Sequence, residues 1–159
     1  MYSSYGTFGL VLGIHSILRW LVVLLGVLAM GRALAARAGG RAWSPADTGL
    51  GRAFVIGLDV QALVGSVLFG VFSPSVAGAM ANLTLVMQSR TFRFWLIEHP
   101  VAMLAALALA HVGFARARRV GGVEAQRRAA LFYTLAVLLV LAAIPWPFLS
   151  FGRALWPLP

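Results

Sequence analysis

Four apolar runs dominate the chain, at about 11–31, 53–72, 97–115 and 129–149. A helix needs about 20 apolar residues to cross a bilayer, and each run comes close to that or exceeds it. Polar residues collect between them, in "RALAARAGGRAWSPADTGLGR" after the first run and "RARRVGGVEAQRR" after the third. This pattern predicts an all-α integral membrane four-helix bundle, one transmembrane domain over 1–159, with two helical hairpins joined by short turns. No internal repeat stands out. The connection between the second and third runs, "SPSVAGAMANLTLVMQSR", mixes apolar and small residues at helical spacing after a Ser-Pro start. It predicts a short helix lying on the membrane surface. The final "IPWPFLSFGRALWPLP" stops the fourth run with prolines and sets Trp146 and Trp156 at interface depth.

Composition narrows the class. The chain is 61% hydrophobic and only 11% charged, too few charges to clothe a soluble globule of 159 residues. Cysteine is absent, which excludes disulfides, thiolate metal sites and cysteine nucleophiles. All the positive charge is arginine. The net charge of +9 gives no nucleic-acid partner, because the arginines stand at the ends of apolar runs and no separate basic domain exists. They set topology and meet anionic lipid headgroups instead. Arg32, Arg37, Arg41 and Arg52 follow the first run, and Arg116, Arg118, Arg119, Arg127 and Arg128 follow the third, against Arg90, Arg93 and Arg153 on the other side. The positive-inside rule then puts the two arginine-rich connections in the cytoplasm and both termini on the extracytoplasmic side. The first run lacks a basic leader region and a small-residue cleavage site, so it reads as a retained span. The lysine-free, Arg/Ala-rich composition points to a bacterial cytoplasmic (inner) membrane, where the sequon at Asn82 carries no weight.

That topology assigns each polar residue a depth at about 1.5 Å per residue. His15 on the first span and His99 on the third both fall near the first turn below the outer face. Arg19 lies about one turn deeper, where an unpaired guanidinium is costly and a partner is required. Asp59 and His111 fall together in the cytoplasmic half, as a structural pair, a proton relay or a second cofactor contact. Two imidazoles sharing one iron approach from opposite faces of a planar ring, with nitrogens about 4 Å apart. His15 and His99 meet the depth condition. His15 and His111 differ by roughly 15 Å in depth, and His99 and His111 share a helix some 18 Å apart.

The spacing therefore proposes His15 and His99 as metal ligands of a haem b, with Gly13, Ser16 and Ala102 leaving room for the ring. Arg19 and Glu98 would pair with each other, or Arg19 would reach a haem propionate or a quinone oxygen. The blander reading has His99-Pro100 as a helix start, with Glu98 favoured by the helix dipole. Met80, Met87 and Met103 read as packing residues, and Gln61 and Ser66 as helix-to-helix hydrogen-bonding groups. No nucleophile with its base, no catalytic carboxylate pair and no phosphate loop occurs.

The segments "HSILRW", "DVQALVG", "EHPVAM", "AHVG" and "IPWP", taken in order, resemble a group of small bacterial four-span membrane proteins labelled cytochrome b-like. The resemblance covers nearly the whole chain and implies a haem-binding bundle. It departs at Asp59, where that pattern often carries a histidine, which leaves His111 without an obvious opposite ligand and counts against a second haem. Two functional classes follow: an electron carrier working near the outer face, with quinol or an outer-face electron carrier as partner, or an accessory subunit of a larger respiratory or photosynthetic complex that binds pigment, quinone or lipid among other membrane subunits. A small transporter or proton channel using Asp59, His111 and Arg19 fits less well, as no broken inverted repeat is present.

Overall fold

The computed structural model describes the backbone of residues 2–72, 76 and 82–155, with side chains from residue 6 to 71, at 76 and from 82 to 155. Within these, every regular element is a helix: α1 (Tyr2–Ala38), α2 (Pro45–Val67), α3 (Leu83–Gln88), α4 (Arg90–Arg93), α5 (His99–Val120) and α6 (Gly122–Ala142). A π-helical turn, Leu68–Phe72, extends α2, and another, Phe94–Glu98, joins α4 to α5. Four helices are long and apolar enough to cross a membrane: α1, α2 with its extension, the continuous run from Arg90 to Val120, and α6. This is a multi-pass helical bundle.

The helices outrun the apolar runs. At ~1.5 Å per residue α1 is about 55 Å long, so Arg32 and Arg37 ride on its last turns instead of standing in a loop, and Arg52 rides on α2. What ends and starts each helix is local chemistry. Gly40 adopts φ 65° and completes a Schellman cap, with the Arg41 N–H donating to the Ala36 carbonyl. Ser44 then caps α2: its hydroxyl accepts from the Asp47 N–H, the Asp47 carboxylate accepts from the Ser44 N–H at 2.8 Å, and Pro45 fills the first helical position. Gly121, at φ 63°, alone separates α5 from α6. The Trp43 N–H donates to the Gly122 carbonyl and ties the two connections together at the arginine-rich end.

Three expectations need correction or limits. The fourth apolar run was expected to reach 149, but α6 stops at Ala142, because Pro145 disfavours helix at the residue before it. The remainder, through residue 155, folds back as a turned strap. Of the surface helix expected within 73–90, one segment is described. It is Leu83–Gln88, capped by the Asn82 side chain, and apart from Val76 the part from 73 to 81, including the Ser-Pro start and Met80, lies outside the described residues, as does Trp156.

Neighbouring helices contact in the cyclic order α1, α2, α5, α6 and back to α1, so α1 and α5 face each other across the bundle. Small residues bring the backbones close: Ala106, Ala110, Gly113 and Ala117 form one stripe of α5, and Ala125, Ala129 and Ala136 lie on the buried face of α6. At the arginine-rich end Asp47 is buried and receives bonds from Arg32 (2.6 Å), Arg41 (2.8 Å) and Gln126 (3.0 Å), so one carboxylate clasps α1, α2, their connection and α6. The outward face of α1 is apolar, with Ile14, Ile17, Leu21, Leu24 and Leu28 exposed, as a lipid-facing surface requires.

Candidate functional site

The opposite end of the bundle encloses a cavity of about 520 Å³, within the range of small-molecule and cofactor sites. Helical periodicity on α1 aims Gly9, Leu12, His15, Ser16 and Arg19 into it. Gln61 enters from α2, Trp95, His99 and Met103 from the α5 segment, and Ala143, Ile144, Pro145 and Arg153 from the strap.

His99 owes its position to a register slip. Pro100 has no N–H to offer the Leu96 carbonyl, and just before it the His99 N–H donates to the Phe94 carbonyl in a π turn. The extra residue re-aims the side chains that follow, and His99 lands diagonally opposite His15. The two imidazole centroids lie 6.4 Å apart with ring planes at 71°. A metal about 2 Å from each nitrogen, with each nitrogen about 1 Å from its ring centre, sets centroids ~6 Å apart. The observed separation matches.

Each ring is oriented by a neighbour. A carbonyl only accepts, so the 2.9 Å contact between His99 Nδ1 and the Ala143 oxygen puts the proton on Nδ1 and leaves the Nε2 lone pair free in the neutral ring. On the other side, Gln61 Nε2 donates to the His15 carbonyl at 3.0 Å and faces His15 Nε2 at 3.3 Å. The ring presses on Gly65, where an added Cβ would stand 3.1 Å from His15 Cε1. His15 Nδ1, Gln61 Oε1 and Arg19 Nε are buried without a protein partner. Three unmet polar atoms around one cavity, where an orphan group is costly, are what a bound polar ligand would satisfy.

The cavity is also cationic. Arg19 donates to the Leu155 carbonyl at 2.6 Å, and the Arg153 guanidinium lies 4.1 Å from the Trp95 ring centroid. Among the described residues no carboxylate lines the cavity. The strap that brings Arg153 in is itself pinned, by Phe151 stacked on Phe94 at 3.9 Å and by Trp20 Nε1 donating to the Leu155 carbonyl. Two guanidiniums and two imidazoles with no acid among them suit an anionic ligand.

Of the residues expected at the site, His15, His99, Arg19 and Ser16 line the cavity. Glu98 does not: it is exposed and paired with Arg93 at 2.7 Å, so the Arg19–Glu98 pair does not form and a backbone carbonyl takes its place. Gly13 and Ala102 are likewise outside the lining, which contains Gly9 instead, and Gly65 makes room for the His15 imidazole. Met103 lines the cavity, whereas Met87 is exposed on α3. Gln61 makes the expected bond between helices, but Ser66 bonds to Ala62 of its own helix. Asp59 and His111 do pair, at 2.8 Å, on the outward surface of the bundle and away from the cavity. Sequence reasoning missed Arg153, Trp95 and the Ala143 carbonyl, and undervalued Gln61, whose amide in an otherwise apolar run was the available signal. Among the described residues no group of three or more His, Cys, Asp or Glu side chains converges, so a site of the zinc type is not present there.

No family model, curated protein or solved structure matches the chain. The functional reading rests on the cavity alone.

Proposed function

We propose that the cavity binds a haem b between His15 and His99, and that the chain is an electron-transfer protein of a bacterial cytoplasmic membrane. The observation that carries this reading is the pair of imidazoles, from diagonal helices, 6.4 Å apart across a cavity of about 520 Å³. When bound, the group supplies one-electron iron cycling. The protein's own residues do the rest. His99 would offer Nε2 because its Nδ1–H donates to the Ala143 carbonyl, and Gln61 holds the α1 backbone at His15 through the His15 carbonyl. Arg19 and Arg153, which line the cavity, would hold the carboxylates of such a group, and the strap with Trp95 would shield it from water. The positive-inside rule places the arginine-rich end in the cytoplasm, so the cavity lies near the extracytoplasmic face, within reach of quinol or an outer-face carrier.

A second reading is favoured by one contact. Gln61 Nε2 occupies a position in front of His15 Nε2, which suits a cavity built to hydrogen-bond a quinone, pigment or anionic lipid. The chain would then be an accessory subunit among other membrane subunits.

The absorption spectrum of the detergent-purified protein separates the two. Ligation by His15 and His99 gives a Soret band and a sharp reduced α band, both lost in His15→Ala and in His99→Ala. A folded, colourless protein from haem-replete cells ends the haem reading and leaves the accessory one.

A further inference from the structure

Asp59 and His111 raise a separate question. Both side chains are about half exposed, 47% and 50%, and both sit well inside their helices, Asp59 in the middle of extended α2 and His111 nine residues before the end of α5. Elsewhere among the described residues, acidic, basic and imidazole side chains within the four spans either line the cavity, as His15, Arg19 and His99 do, or stand within about two turns of a helix end. Here an ionisable pair faces outward at membrane depth, where lipid offers neither water nor hydrogen bonds. Its flanks are set at heptad-like steps, Ile56 and Leu63 on α2 and Leu104 and Ala108 on α5, all exposed. The alanine one turn from His111 lets another helix approach closely.

We infer that this α2–α5 face is the contact surface between two copies of the chain, related by a two-fold axis along the membrane normal. Complementarity selects a second copy. In the net-neutral pair one proton lies between Asp59 Oδ1 and His111 Nε2, 2.8 Å apart, which leaves His111 Nδ1–H as a donor and Asp59 Oδ2 as an acceptor. The patch is therefore its own complement: Nδ1–H of one copy meets Oδ2 of the other, twice, in a closed ring of four hydrogen bonds with no net charge. Depth selects it too, since two copies inserted the same way carry the pair at the same level. This surface stands apart from the haem reading, as no cavity residue contributes to it.

The absence of cysteine makes the test clean. Single-cysteine variants, Ala108→Cys on this face and Leu135→Cys on the exposed face of α6, are oxidised in native membranes. Ala108→Cys is expected to yield a band at twice the chain mass, and Leu135→Cys to stay monomeric. In mild detergent, Asp59→Asn and His111→Gln, which keep the size of the side chain, are expected to weaken the dimer by about tenfold while the helical circular dichroism is unchanged. Equal cross-linking of the two cysteine variants, or cross-linking of Ala108→Cys only into a band of another mass, overturns the inference.

Discussion

Gly65 is the residue on which the seat of His15 turns. A methyl group there would meet His15 Cε1 at 3.1 Å, and because Gln61 holds the same ring from one turn away the imidazole has to shift. Alanine raises intrinsic helix stability by roughly 0.5–1 kcal/mol over glycine, so Gly65→Ala should leave the fold intact or firmer. The same change should cut retention of the cavity ligand about tenfold, a ~1.4 kcal/mol effect. Titration of the ligand, or of haem, against thermal unfolding of both proteins checks this. Unchanged retention would mean that the ring has slack the contact does not reveal. His15 and His99 were legible in the sequence because apolar runs assign depth and two imidazoles at one level invite comparison. Their orienting partners were not. The Ala143 carbonyl comes from main chain freed by the early end of α6, and Gly65 reveals itself only as an absence of volume.

At the scale of elements, the arginine-rich end is held by one acid. "SPAD" at 44–47 carries its own signature, a capping residue, a proline at the first helical position and an acid at the third. The cap was thus readable, whereas the convergence on Asp47 of Arg32, Arg41 and Gln126, the last of them 79 residues away in the chain, was not. Asp47→Ala removes the acid half of the capping box and the shared carboxylate, leaving Arg32, Arg41 and Gln126 only their weaker contacts to Ser44 and to the Ala42 carbonyl. Because the arginines are about 40% exposed and can turn to water, the expected loss is about 3 kcal/mol, below the upper range for a fully buried pair. Denaturant unfolding in detergent, followed by helical circular dichroism, measures it. A loss under about 1 kcal/mol would show that α1 and α2 are fastened by apolar packing alone. The strap is the element least visible beforehand: an apolar pattern cannot tell a helix from a turned segment when prolines interrupt it, and residues 143–149 were counted with the fourth span.

For the whole molecule the bundle sorts its chemistry end from end. Its arginine-rich half is packed with alanines around Asp47, and the other half opens into a cavity with Arg19, Arg153 and two imidazoles. The four spans and their alternating direction followed from hydropathy, because each apolar run must bury its own backbone hydrogen bonds in a helix. The distribution of charge then argues for direction. Nine arginines, 32, 37, 41, 52, 116, 118, 119, 127 and 128, cluster at one end, against Arg90, Arg93 and Arg153 near the other. Translocating the crowded end would carry most of the positive charge across the membrane against the potential, which costs about 2.3 kcal/mol per charge per 100 mV. Gly39→Cys, in the α1–α2 connection, should therefore react with a membrane-impermeant maleimide only after the cells are permeabilised. Ala154→Cys, in the strap beside the cavity, should react in intact cells. The reverse pattern would turn the cavity toward the cytoplasm, and its electron or ligand partner would then have to be sought among cytoplasmic molecules, even if both histidines held the haem as proposed.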